Sequence, residues 1–193
     1  MDKTRIEAFS DGVLAIIITI MVLELKPPAH APELDSLRPL LPAVLSYLLS
    51  FIYLAIYWNN HHHLLLTVQR VSPGIMWANM HLLFWLSLIP FATAWMGEND
   101  FAPAPTAMYG CILLCSAMAY FILQASILRS PSVHEKLQRA LGRDVKGKLS
   151  LVAYAIAIPT AFISQEAAGA LYVAVALAWL IPDRRISDAL RAT

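Results

Sequence analysis

Charged side chains are scarce in this sequence. Only 14% of its 193 residues are Asp, Glu, Lys or Arg, whereas about a quarter of the residues in a typical soluble domain are charged. Hydrophobic residues make up 59% of the chain, and the mean hydropathy is +0.61. This balance predicts an integral membrane protein embedded in a lipid bilayer. The net charge of +1, with no clustering of basic residues into a groove, excludes a nucleic-acid partner.

Motifs for catalysis and cofactor binding are also missing. The sequence has no glycine-rich phosphate loop, no nucleophile elbow and no His-Glu-x-x-His motif. We therefore expect neither an enzyme nor a bound cofactor. The two cysteines, Cys111 and Cys115, lie one helical turn apart in an apolar run and form no disulfide framework. The sequence Thr-Val-Gly-Tyr-Gly is absent too, which excludes a potassium filter built from that loop of carbonyl oxygens.

Six apolar segments are long enough, or nearly so, to cross a membrane core of about 30 Å, which takes about 20 helical residues. They predict an all-α protein with six transmembrane helices in a single membrane domain, residues 1–193. The segments cover about residues 6–25, 39–68, 74–97, 105–129, 148–165 and 167–183. The last two are short, and only Gln165 and Glu166 separate them, so a tight helical hairpin is an alternative to two full crossings. Pro159 predicts a kink in the fifth segment.

Lysine and arginine fall mainly on one side of these segments. That side holds twelve of the fourteen, including those at both ends of the chain, and the other side holds only Lys26 and Arg38. Because cytoplasmic loops are rich in Lys and Arg, we expect a protein of the cell (inner) membrane with both termini in the cytoplasm. The stretch 133–141 is amphipathic and basic, and we expect it on the inner membrane surface. No internal repeat is visible, and six unrepeated spans are few to enclose a pathway alone, so we expect an oligomer.

Polar residues gather at one depth in the first three segments. Asp11 lies about 9 Å inside the first, at 1.5 Å per residue, and a charge in a membrane helix marks a candidate functional site. The second segment carries His61-His62-His63 near its inner end, and the third carries Asn79. Because lipid offers no hydrogen bonds, we expect Asp11 to bond to one of these histidines and to Asn79. Consecutive histidines point about 100° apart and do not converge on one metal ion, so their role is either structural or pH-sensing.

The first segment has two distinct faces. On a helical wheel with about 100° per residue and Ile16 at zero, Thr19, Ile20 and Leu23 fall within roughly 60° of Ile16. These four residues form a stripe. Asp11 falls near −140° on the same wheel and points away from the stripe. An aliphatic stripe is more often core or lipid-facing than the lining of a pore, so periodicity alone leaves its role open.

Together these residues resemble one family, the prokaryotic members of the transmembrane-protein-175 family of endolysosomal and bacterial potassium channels. The family signature Arg-x-x-x-Phe-Ser-Asp is complete at the start of the first segment. The matching positions in the first three segments are Arg5, Phe9, Ser10, Asp11, Trp58, His61, His62, Trp77 and Asn79. The resemblance is strong over the first half of the chain, and in the second half it rests mainly on the pattern of spans.

The resemblance implies a homotetramer of six-helix subunits whose first helices surround a central pore for K+. It implies that signature residues tie the first helix to the second and third. The constriction would be lined by Ile16, Thr19, Ile20 and Leu23. Glu24 would lie near the outer mouth, where it either concentrates cations or pairs with Lys26.

Two other functions stay open at the level of sequence. One is a proton-coupled or proton-conducting transporter that uses Asp11 and the His61-His62 cluster as a relay. Some members of the family that this sequence resembles also pass protons. The other is a membrane scaffold that conducts nothing.

Overall fold

The protein folds as an all-α bundle, as the sequence predicts. The computed structural model describes residues 3–28, 33–68, 70–129 and 144–180, which contain seven α-helices and one 3-10 helix. The α-helices are α1 (Lys3–Leu23), α2 (Leu41–Leu66), α3 (Pro73–Ser87), α4 (Ile89–Glu98), α5 (Pro103–Leu128), α6 (Val145–Thr160) and α7 (Gln165–Leu180). The 3-10 helix (Leu34–Leu40) runs directly into α2. The surface helix expected at 133–141 lies outside the described residues.

Within the described residues, four stretches are long and apolar enough to cross a membrane, namely Lys3–Leu23, Leu34–Leu66, Pro73–Glu98 and Pro103–Leu128. They correspond to the first four predicted segments. The helices α6 and α7 have 16 residues each, about 24 Å of helix, which is shorter than a bilayer core of about 30 Å. They pack against each other and are joined by residues 161–164. This short connection fits the hairpin alternative.

The third predicted segment is interrupted in the structure. The break falls at Leu88, between α3 and α4. Pro90, in the first turn of α4, has no N–H and its ring crowds the carbonyl four residues earlier, so the hydrogen-bond ladder cannot continue. The Leu88 N–H bonds instead to the Trp85 carbonyl, in a tighter turn than an α-helix makes. Pro159, expected to kink the fifth segment, lies one residue before the end of α6, where the helix stops.

Hydroxyl groups hold the interior of the bundle together. The Tyr53 hydroxyl donates to the Tyr172 carbonyl at 2.7 Å, which joins α2 to α7. The Ser50 hydroxyl lies 2.6 Å from that of Thr93 and donates to that of Tyr109 at 3.0 Å, which joins α2 to α4 and α5. In a membrane such groups need partners inside the protein, and these bonds supply them. They fix α2, α4, α5 and α7 as the frame beside which α1 lies.

Candidate functional site

The helix α1 has a covered face and an open face. It packs mainly against α2, α3 and α4 at the edge of the bundle. Its buried residues are Ile6, Ser10, Leu14, Ile17 and Met21. On the opposite face Ile16 is 60% exposed, Ile20 44% and Leu23 71%, and Thr19 is also exposed. The structure therefore brings the four predicted stripe residues together on a surface that the described part of the chain leaves uncovered.

Thr19 is the polar member of this stripe. Its hydroxyl donates to the Ala15 carbonyl of the preceding turn at 2.8 Å. A hydroxyl that has used its proton in this way still has two lone pairs to offer. Thr19 can therefore present oxygen lone pairs outward from the open face, where they can contact a cation or water.

A buried polar network ties the covered face of α1 to α2 and α3. The Asn79 amide donates to the Ser10 hydroxyl at 3.0 Å, and the Asn79 oxygen lies 2.6 Å from Nε2 of His61. All three side chains are buried. Ser10 in turn donates to the Ile6 carbonyl at 2.8 Å. Asn79 thus uses both ends of its amide to bridge the first and second helices.

Asp11 is anchored separately, at the rim of the same interface. The indole Nε1 of Trp58 on α2 donates to an Asp11 carboxylate oxygen at 2.9 Å. The Trp58 ring stacks on His62 with centroids 6.0 Å apart. The expected bonds from Asp11 to a histidine and to Asn79 are absent among the described contacts, because Ser10 takes that position. The buried face of α1 is centred near +120° on the wheel, where Ser10 lies, and Asp11 is about 100° further round.

The remaining signature residues lie outside this network. Arg5 and Phe9 are exposed on α1, and Phe9 falls about 20° from Ile16 on the wheel, on the same open face. Trp77 on α3 is exposed as well. The signature therefore divides into two groups. One consists of the residues that bond α1 to α2 and α3, which we call the anchors (Ser10, Asp11, Trp58, His61 and Asn79). The other consists of exposed residues outside these bonds.

Glu24 is exposed just beyond the end of α1. It lines a small cavity with Glu98, at the end of α4, and with Ser46 and Tyr47 of α2. Glu98 was not predicted, because nothing in the sequence places the end of the third segment beside the end of the first. The ion pairs found within the described residues are Lys3–Glu7 and Arg38–Asp35, and a pair of Glu24 with Lys26 is not among them.

Comparison with known proteins matches this chain to a family. A family model described as endosomal/lysosomal potassium channel TMEM175 matches residues 5–90. A protein named as a potassium channel in Chryseobacterium sp. (strain P1-3) is 53% identical over 191 residues, which cover 99% of this chain and 99% of the relative. This chain belongs to the TMEM175 family. A second relative, named as a potassium channel in Streptomyces collinus (strain DSM 40733 / Tue 365), is 30% identical over 175 residues, which cover 84% of this chain and 84% of the relative.

The fold also has a solved counterpart. The crystal structure of a lysosomal potassium-selective channel TMEM175 homolog from Chamaesiphon minutus matches with a TM-score of 0.82 and 29% identity, over 93% of this chain and 96% of that chain. The resemblance drawn from the signature is confirmed, and TMEM175 is a family of membrane ion channels, not of enzymes. The TMEM175 family match includes both the stripe and its anchors, and it ends before α5.

Proposed function

We propose that this protein is a potassium-selective cation channel in which four copies of α1 surround the pore. The observation that carries this proposal is the open stripe on a helix whose other face is anchored by polar contacts. Ile16, Ile20 and Leu23 are exposed, whereas the face of α1 that carries Ile6, Ser10, Leu14, Ile17 and Met21 is buried against the bundle. Two relatives named as potassium channels, and one solved homolog described as potassium-selective, support the assignment of K+.

The stripe supplies the parts of a hydrophobic gate. In a tetramer the three aliphatic positions form rings about 6 Å and 4.5 Å apart along the axis, at 1.5 Å per residue. Narrow aliphatic rings can dewet and so exclude ions that hold their water strongly. The outward lone pairs of Thr19 replace part of the water that a weakly hydrated ion such as K+ gives up. Selectivity then needs no filter of backbone carbonyls.

We place both termini in the cytoplasm and the protein in the inner membrane of the cell. The distribution of Lys and Arg supports this orientation. The end of α1 and Glu24 then face the outside. A carboxylate there raises the local concentration of cations at the mouth of the pore.

The arrangement of the anchors favours a channel over a proton relay. Asp11 bonds to the indole of Trp58, a group that only donates. His61 bonds to Asn79, an amide that neither takes up nor releases protons near neutral pH. Within the described residues the carboxylate and the imidazole thus belong to two separate sets of hydrogen bonds. A relay needs a chain of groups that accept and release protons in turn.

Substitution of Ile16 tests the proposal. We expect Ile16→Ser to raise K+ flux into liposomes and to weaken discrimination against Na+, because a polar ring no longer dewets. Ile156→Ser is the matched control, since Ile156 is a 54% exposed isoleucine on α6, far along the chain from the stripe. The proposal fails if Ile16→Ser leaves the flux and the reversal potential unchanged, or if both variants change them equally.

A further inference from the structure

A second open surface lies on α3 and α4, where three large aromatic side chains are exposed. Trp77 is 70% exposed, Phe84 56% and Phe91 62%. Successive members are seven residues apart, which is about two helical turns, so they follow one line along the two helices. On α3 this line lies about 140–160° from Asn79, the residue that bonds to α1. The aromatic line therefore faces away from the α1 of its own chain.

The open part of α1 extends beyond the stripe on one side. Between about −40° and −100° on the wheel the helix carries small side chains, and we call this part the small-residue flank. Its members are Ala8, Gly12, Ala15 and Thr19, the last of which also belongs to the stripe. All four are exposed, and a Cβ placed on Gly12 would meet no atom within 4 Å. Small residues of this kind let membrane helices approach closely.

The aromatic line and the small-residue flank occupy the same depths. The hydrogen bond between Asn79 and Ser10 aligns those two residues. The Thr93 hydroxyl lies 3.9 Å from the Met21 sulfur and aligns a second pair two to three turns further along. Both pairs advance together, so α1 runs in the same direction as α3 and α4. Counting from these contacts at 1.5 Å per residue gives three pairs at matching levels, namely Trp77 with Ala8, Phe84 with Ala15, and Phe91 with Thr19.

The order of the helices around α1 decides which surfaces would meet in a ring of subunits. Ser10, at +120° on the wheel, contacts α3, and Asp11, at −140°, contacts α2. The small-residue flank lies between Asp11 and the stripe, so it is on the opposite side of the stripe from α3. In a closed ring with the stripe at its centre, each contact joins two different surfaces. The flank of one subunit then meets the α3–α4 side of the next.

We propose that the aromatic line docks on the small-residue flank of a second copy of this chain, and that this contact closes the tetramer. The inference rests on the proposed function, because it takes the stripe to face the axis of the pore. Rotation about that axis leaves depth unchanged, so each large ring meets a small residue at its own level. Such pairing of large and small side chains gives the close packing that membrane helices need in order to associate.

Cysteine cross-linking in liposomes tests which surfaces meet. The free thiols of Cys111 and Cys115 on α5 are first removed by substitution with alanine. Packed helices lie about 8–10 Å apart, farther than the Cα atoms that a disulfide joins, so a short bis-methanethiosulfonate reagent is used. We expect Ala15→Cys/Phe84→Cys to give a ladder of two, three and four linked chains, and either single substitution to give none.

A pair at different depths is the matched control. Ala8→Cys/Phe91→Cys combines the same two surfaces with sites about 16 Å apart in depth, and it should give no ladder. No ladder from the matched pair, or an equal ladder from the control pair, overturns the proposal. Ion flux in Ile16→Ser tests the pore separately. Altered flux without the matched ladder refutes only the docking, and a matched ladder with unaltered flux refutes only the lining of the pore.

A size swap tests the packing of the two surfaces. Ala15→Phe places a second ring at the contact and is expected to weaken assembly at least about tenfold, because an overpacked contact has to open. Phe84→Ala in the same chain removes the opposing ring and should restore assembly. Ala155→Phe, at an exposed alanine on α6, is the control and should leave assembly unchanged.

Light scattering of the purified protein in detergent gives the number of chains per particle for each variant. The proposal is overturned if Ala15→Phe assembles normally. It is also overturned if the loss of assembly in Ala15→Phe is not relieved by Phe84→Ala, or is matched by Ala155→Phe. In those cases the aromatic line faces lipid or a different part of the neighbouring subunit.

Discussion

Substitution of Asp11 distinguishes a channel in which this residue anchors α1 from a proton relay, because the two functions need different properties of its side chain. As an anchor it has to accept a hydrogen bond from Trp58, and an amide oxygen can do this too. As a relay it has to carry a proton, and an amide cannot. The variants Asp11→Ala and Asp11→Asn therefore have different consequences under the two functions.

The size of the effect follows from the contact. The Trp58–Asp11 bond is 2.9 Å long, in the range of charge-assisted bonds, which are roughly twice as strong as neutral ones. Hydrogen bonds to charged groups are worth about 1.5–3 kcal/mol, but interhelical bonds in membrane proteins average about 0.6 and reach about 1.7. Since Asp11 lies on the exposed rim of the interface, we expect Asp11→Ala to cost about 1–1.5 kcal/mol per subunit. Asp11→Asn should cost less, because it keeps an acceptor and removes a charge from the edge of the membrane.

Unfolding of the purified protein in detergent measures these costs, and K+ flux in liposomes measures function. Trp58→Phe removes the donor and keeps a ring that can stack on His62. A double-mutant cycle of Asp11→Ala with Trp58→Phe should give a coupling of about 0.6–1.7 kcal/mol. We expect Asp11→Asn to fold and conduct K+ with unchanged selectivity. The assignment of Asp11 as an anchor is refuted if Asp11→Asn folds normally but abolishes K+ flux or changes ion selectivity. It is also refuted if the coupling energy between Asp11 and Trp58 is zero.

Two further substitutions test the packing of helices inside the bundle and the role of Glu24 at the mouth of the proposed pore. Gly110→Ala should destabilise the protein by about 1–3 kcal/mol in detergent unfolding, because a Cβ there would meet the Tyr172 hydroxyl. Tyr172→Phe removes that atom and should rescue part of the loss, and a neutral Gly110→Ala would contradict the close packing of α5 on α7. Glu24→Gln should lower K+ conductance in low salt and have little effect near 1 M, where the Debye length is about 3 Å. An equal loss of K+ conductance at both ionic strengths would show that Glu24 acts by direct contact with the ion and not by its long-range electric field. Glu98→Gln, measured in the same way, tests whether the second carboxylate at this cavity has the same role.

The stripe could be predicted from sequence because it depends only on the geometry of one helix. Once α1 is a helix, Ile16, Ile20 and Leu23 must share a face, whatever surrounds them. The open exposure of that face could not be predicted, since it depends on where α2, α3 and α4 pack. The break at Leu88 does not follow from the sequence, although Pro90 lies in the same segment. An apolar run long enough for one span is also compatible with a single helix that contains a proline.

The partners of the polar residues were harder to predict for a related reason. Depth along the membrane, which the sequence gives, places Asp11, His61 and Asn79 at one level. It does not say how each helix is rotated, and neighbouring residues on a helix differ by about 100°. In the structure Asn79 donates a hydrogen bond to Ser10, and Asp11 accepts a hydrogen bond from Trp58. Predicting Asp11 where Ser10 makes the contact with Asn79 is therefore an error in the rotation of α1 about its axis, not in depth along the membrane.

Rotation is also the quantity that the polar anchors control. Every face of the membrane-embedded part of α1 is apolar, so turning it by one residue would exchange Ile16 for Ile17 in the open stripe at little cost in hydrophobic contacts. The same turn would break the bond of Asp11 to Trp58 at the exposed rim and the bond of Ser10 to Asn79 in the interior. Ser10 and Asn79 are buried, and a buried polar group without a partner costs about 1–3 kcal/mol. Polar groups in a core can specify register even where apolar residues would bind more tightly. We infer that these bonds fix the rotation of α1, and so determine which apolar residues would face the axis of the proposed pore. This role would account for the cost of placing Asp11 in a membrane helix.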